Sequence, residues 1–109
     1  MPWVYYYDDV IFLLLVNTAI PRFTRQPLHR FNIDPGSTIS LSIVAVNGGI
    51  YQWQVNDTDA DESSKYQGTT TSTLVIHNIE ENDEGFYLCI VSNEYISVRS
   101  DRAAITVCK

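Results

Sequence analysis

The stretch Asp57-Thr58-Asp59-Ala60-Asp61-Glu62 opens like a calcium loop, with carboxylates at its first, third and fifth positions. Such a loop also needs glycine at position 6 for the sharp turn and glutamate at position 12 for bidentate ligation. Glu62 and Gly68 stand there instead. The pattern reads as a solvated acidic loop, and no metal is expected. The two histidines, His29 and His77, have no cysteine or aspartate at a spacing that would make a nucleophile pair or a metal site. Cys89 and Cys108 are too few for a disulfide framework or a structural zinc site. No glycine-rich loop that would cradle a phosphate occurs. No catalytic residue and no cofactor are therefore expected, and the chain does not read as an enzyme. One modification signal is present. Asn56-Asp57-Thr58 is an acceptor for N-linked glycan in a chain that enters the secretory pathway.

At 109 residues the chain has room for one domain, and its 45% apolar content suits a packed core rather than disorder. Thirteen acids against seven Lys and Arg leave a net charge of −6. That surface repels phosphate backbones and anionic membranes, so nucleic-acid binding is not expected. Arg22, Arg25 and Arg30 make one end basic, which reads as ordinary solvated surface.

Residues 1–20 stand apart by composition. They contain no Lys or Arg and hold the apolar run Val10–Val16. That run is too short to span a bilayer, which needs about 20 residues. It fits the apolar region of a secretory leader, with Ala19 as a small residue beyond it. Asp8 and Asp9 stand where a leader carries positive charge, and Asn17 stands where a small residue is wanted. A cleaved leader, an extra strand packed on the domain, and a truncated or misassembled start are the three readings. If the leader stays uncleaved, or the chain belongs to a longer parent, membrane contact comes through those parts only. Cys108-Lys109, ending right at the last strand, suggests a piece of a longer chain.

Residues 21–109 have a period of two. Thr38–Ala45 alternates polar and apolar residues as a half-buried strand does, and Asn47-Gly48-Gly49 ends it. Ile50–Asn56 puts Tyr51, Trp53 and Val55 on one face. Thr73–His77, Phe86–Ser92 and Ala103–Val107 complete the strands, with a turn over Asn78–Glu84. Short strands separated by turn signals predict an all-β sandwich.

The run Asp83-Glu84-Gly85-Phe86-Tyr87-Leu88-Cys89 is the most specific signal in the chain. Together with Leu41-Ser42-Ile43, Trp53, Leu74-Val75-Ile76 and Asn93, it resembles an immunoglobulin domain of the I-set or C2-like kind, over Pro21 to Val107. The resemblance implies a Greek-key sandwich of two antiparallel sheets, with strands A, B, E and D in one and C, F and G in the other, joined by a short C′ strand. It implies that Tyr87 bonds the backbone of the Ile79–Asp83 turn, which Asp83 caps. It also exposes a departure. The family bridges a strand B cysteine to the strand F cysteine, and the strand B position here is Ile43. With a hairpin turning near Ile96, Cys89 pairs near Ala103 and lies roughly 17 Å from Cys108 at about 3.4 Å per residue. A disulfide needs Cα atoms within about 7 Å, so both thiols stay free. The expected core is Ile43, Trp53, Tyr87 and Cys89. Losing the bridge costs about 2–5 kcal/mol, and burying an isoleucine returns about 1.5–3, so a sandwich without it is tenable.

With Tyr87, Cys89 and Val91 inward, Phe86, Leu88 and Ile90 point outward. Three apolar side chains in line on a solvent face read as an interface, flanked by Gln52 and Gln54. Alternatively, Val10–Val16 folds across them. The expected function is protein–protein recognition by an extracellular or cell-surface adhesion or receptor module, its partner another protein, including a second copy of itself. The alternative is an intracellular structural I-set domain resembling those of titin-like muscle proteins, since free thiols suit a reducing compartment.

Overall fold

A computed structural model describes residues 20–109. The segment 1–20 therefore lies outside the described residues save Ile20, and so does the reading of Val10–Val16 as a cover.

The chain forms β1 (Arg22–Arg25), β2 (Arg30–Ile33), β3 (Ile39–Ser42), β4 (Val44–Val46), β5 (Ile50–Val55), β6 (Thr58–Asp59), β7 (Tyr66–Gln67), β8 (Thr73–Ile76), β9 (Gly85–Ser92), β10 (Ser97–Arg99) and β11 (Ala103–Val107). One layer contains β3, β8 and β7, extended by β4 and its partner β1. The other runs β2-β11-β9-β5-β6, with β10 also paired to β9. This is the immunoglobulin sandwich expected from the strand order, including the short C′ strand, β6. Alternation of β-branched or aromatic residues with polar ones gives β3, β5 and β8 one apolar face each. Asn56 and Asp57, both with positive φ (49° and 66°), make the two-residue turn that joins β5 to β6.

Two details differ from the expected topology. The first strand does not stay in one sheet. Pro27 lies between its halves, and β2 pairs in parallel with β11 in the opposite layer. Proline lacks the donor a continuous ladder needs. The second concerns the last hairpin. It turns over Asn93–Ile96, where Asn93 N–H donates to the Ile96 carbonyl at 3.0 Å. Cys89 consequently faces Ser100, not Ala103. The Ser100 N–H donates to the Cys89 carbonyl at 2.8 Å, and Ala103 pairs with Tyr87. Asp101 and Arg102 together then oppose the single residue Leu88, which makes a β-bulge between β10 and β11.

The core joins the inner faces of both layers and includes Leu41, Ile43, Trp53, Leu74, Ile76, Tyr87, Cys89 and Ile105. Both cysteines are free, Cys89 buried and Cys108 exposed. Burial pushes the Cys89 thiol up to about 12, against a small opposing effect of the Gln52 backbone. Trp53 keeps its indole N–H satisfied by the Thr71 carbonyl at 2.8 Å. Tyr87 donates its hydroxyl to the Asp83 carbonyl at 2.7 Å, and burial raises its ionisation far above the ordinary range. Asp83 accepts the Glu80 N–H at 2.8 Å and pairs with Lys65 at 2.5 Å, so the turn is tied to the segment before β7.

Candidate protein-binding face

The outward face of the β2-β11-β9-β5-β6 layer is built from alternate residues on each strand. Inward Trp53 and Cys89 are paired, so the neighbouring pairs Gln52–Ile90 and Gln54–Leu88 point outward. Phe86 pairs with Ala104 on β11 and shares that side. Phe86, Ile90, Gln52 and Gln54 thus lie on one surface.

The surface does not have the expected composition. Leu88, expected to supply exposed apolar area, is only 3% exposed, against 54% for Phe86. Its burial follows from the bulge and from Arg102. The Arg102 guanidinium reaches Asp57, 2.8 Å away beyond the end of β5. To get there from the bulge, the side chain crosses the outward side of β9 beside Leu88, while Gln54 flanks Leu88 on the other side. The apolar stripe along β9 is therefore interrupted at its middle.

Gln52 and Gln54, expected to set polar registry with a partner, are both engaged within the domain. The Gln52 amide donates to the carbonyls of Trp53 (2.9 Å) and Ala60 (3.2 Å). Gln54 donates to Asp59 at 2.8 Å. They brace the β5–β6 hairpin, and their outer edges form its polar surface.

Exposed apolar area comes instead from residues across the strands. Ile50, at the start of β5, is 65% exposed and lies on the same outward alternation as Gln52. Phe31 on β2 is 61% exposed. Its direction is set by a bulge. Ile105 pairs with Arg30 while Val107 pairs with Ile33, so Phe31 and Asn32 together oppose Thr106. Asn32 adopts a left-handed φ of 55° and donates its N–H to Thr106 Oγ1 at 2.9 Å. The extra residue turns Phe31 outward while Ile33 remains in the core. His29 stacks on Phe31 at 5.6 Å between ring centroids, and its Nδ1 accepts the Ala104 N–H at 2.8 Å. Ala104 lies between Phe86 and His29, and Phe31 stands one row further along, opposite Thr106. Sequence reasoning missed Phe31 and Ile50. The asparagine in Arg30-Phe31-Asn32-Ile33 was the available sign, since asparagine tolerates the left-handed conformation a bulge requires.

The acidic loop does not converge. Asp57 pairs with Arg102, Asp59 accepts from Gln54, and Glu62 accepts from Gly68 N–H, Thr69 N–H and Thr69 Oγ1. The Thr69 bonds hold the Glu62 carboxyl below its ordinary range. Among the described residues, no three His, Cys, Asp or Glu groups gather to hold a metal ion. His77 is bonded to Gln67 at 2.8 Å, on the other layer. Asn56 is exposed, and its Oδ1 accepts the Phe86 N–H at 2.9 Å, which fixes the turn to the start of β9.

The immunoglobulin-domain family model matches residues 20–93, and the chain belongs to the immunoglobulin superfamily. Human contactin-1 is 36% identical over 91 residues, covering 79% of this chain and 9% of contactin-1. Chicken contactin-1 is 32% identical over the same shares. The chain thus spans 9% of the length of these curated relatives. Among solved structures, the N-terminal Ig1-2 module of the Drosophila receptor protein tyrosine phosphatase DLAR aligns with a TM-score of 0.69 at 28% identity, covering 80% of this chain and 45% of that one. A chimeric titin Z1Z2 aligns with a TM-score of 0.67 at 17% identity, covering 80% and 93%, a likeness of fold.

Proposed function

We propose that this chain is a protein–protein recognition module of adhesion or receptor type, acting at the cell surface or outside the cell. It docks through the outward face of the β2-β11-β9-β5-β6 layer. The carrying observation is the pair of exposed aromatic rings, Phe86 on β9 and Phe31 on β2, on one outward face either side of β11. Large aromatic rings in solvent on a sheet face are what binding sites use to bury area at low entropic cost. Similarity to contactin-1 and to the DLAR module supports the same reading.

A binding test uses the labelled full chain on cells displaying immunoglobulin-superfamily proteins. Phe86→Glu removes binding, and Ser40→Glu on the other layer leaves it. Equal binding by both variants would remove the face from consideration.

The unbridged Cys89 favours a second reading, a structural domain inside the cell. Expression in a secreting cell separates the two. Chain in the medium, trimmed near Ala19, supports the first, and a glycosidase shift reports whether Asn56 carries a sugar. Untrimmed chain retained in the cytosol supports the second.

A further inference from the structure

We propose that the partner of this face is a second copy of the chain, bound through a two-fold axis that runs along the strands between β9 and β5. This rests on the reading that the outward face is the recognition surface, and it adds what that surface recognises.

The argument is one of charge placed by register. Across the strands the outward residues form rows. One row is Arg102, Leu88, Gln54 and Asp59: the bulge faces Leu88, Leu88 pairs with Gln54, and Gln54 pairs with Asp59. The next row is Arg99, Ile90 and Gln52. Asp61 stands at its far end, held there because the Ala60 N–H donates to Trp53 and the Ala60 carbonyl accepts from Gln52. These two rows each carry an arginine on the β10–β11 side and an aspartate on the β6 side, while the Phe86–Ala104 and Ile50–Ser92 rows that flank them are uncharged. Strand β9 itself contributes no charge to this face.

A two-fold contact requires each patch to complement itself: residue i meets j, and j meets i. An axis along the strands between β9 and β5 reverses each row onto its own copy. Arg102 then faces Asp59 of the second copy and Arg99 faces Asp61, each pair made twice. The Phe86 rings of the two copies lie offset by about one strand spacing, roughly 4.8 Å, within the range in which aromatic rings stack. An axis across the strands would instead set arginine against arginine. The Arg102–Asp57 pair inside the domain does not prevent this. Both of its side chains are more than half exposed, at 52% and 61%, and such a pair exchanges partners at little cost. Asn56 stands in the Phe86 row, so a glycan there would block the pairing.

The test is sedimentation velocity over a concentration series on the full chain made in bacteria, where Asn56 carries no sugar. The expected result is a reversible dimer that weakens as salt is raised. Phe86→Glu sediments as a monomer. Arg102→Asp and Asp59→Arg each weaken the dimer about tenfold or more, and an equal mixture of the two restores it as a mixed dimer. Thermal melts confirm that each variant is folded. A wild-type chain that stays monomeric throughout, or folded charge-reversal variants that fail to pair when mixed, overturns the self-pairing. Loss of binding to other surface proteins on Phe86→Glu in such a monomer would leave the recognition face standing. A dimer unchanged in Phe86→Glu would remove both.

Discussion

The amide of Asn56 occupies the space that a side chain on Gly85 would need, with Oδ1 2.5 Å and Nδ2 2.7 Å from where that β-carbon would lie. Gly85 also holds a φ of 153°, which residues with side chains rarely adopt. The two residues therefore form one device that seats the β5–β6 turn on the start of β9. Gly85→Ala should cost about 1–3 kcal/mol, measured by urea unfolding. Asn56→Ala alone should cost about 1 kcal/mol for the lost bond to Phe86. The double variant should be more stable than the sum predicts, because removing the amide removes the clash. Strict additivity would mean the contact is not the cause.

Leu88 and Phe86 are two residues apart on one strand and on the same face, yet they should respond oppositely to a charge. Leu88→Asp places a carboxylate in a buried position and should cost about 3 kcal/mol or more, a large part of a domain's stability. Phe86→Glu should leave the thermal midpoint nearly unchanged. A Leu88→Asp chain as stable as wild type would show that Leu88 is open to solvent.

Thiol titration of the native chain should be biphasic. Cys108 is exposed and reacts at once. Cys89 is buried, with its ionisation pushed up to about 12, and reacts only when the domain opens. Denaturant should merge the two phases. Two equal fast phases in native conditions would place Cys89 outside the core.

Acid should weaken the fold through Glu62 and Glu84. Backbone donors, Thr69 N–H for the first and Val107 N–H for the second, hold both below the ordinary value of 4.5. Folded values lower than unfolded ones mean that their contribution is complete above 4.5 and disappears as pH falls through the lowered folded values. Glu62→Gln and Glu84→Gln should each flatten the decline of the urea midpoint in that acid range. A slope identical to wild type in both would assign acid unfolding to other groups.

Removing the Tyr87 hydroxyl tests the corner. Tyr87→Phe leaves the buried Asp83 carbonyl without its donor and should cost about 1–3 kcal/mol. An unchanged urea midpoint would show that the bond contributes nothing.

The sandwich was legible in the sequence because its signals are local. The spacing of Asp83, Gly85, Tyr87 and Cys89 and the alternation through Trp53 depend only on residues near each other in the chain. The binding face was only partly legible, because exposure on a sheet depends on neighbouring strands. Alternation correctly sends Leu88 outward, but it is silent about Arg102 reaching over β9. The same limit hid Phe31, whose direction depends on a bulge against β11. It also misplaced the partner of Cys89, since a hairpin assumed to turn near Ile96 shifts each pairing on the returning strand. The bulge at Asp101-Arg102 shifts the pairings beyond Cys89, so that Tyr87 meets Ala103.

The parallel pairing of β2 with β11 has a mechanical consequence. The chain enters β2 from one end of the domain and leaves β11 toward the other. A pull on the two ends loads the bonds between these strands together, in shear, and not one by one as in an unzipping hairpin. With no covalent tie between the layers, this short side-by-side seam is the clamp that resists stretching once β1 has parted from β4.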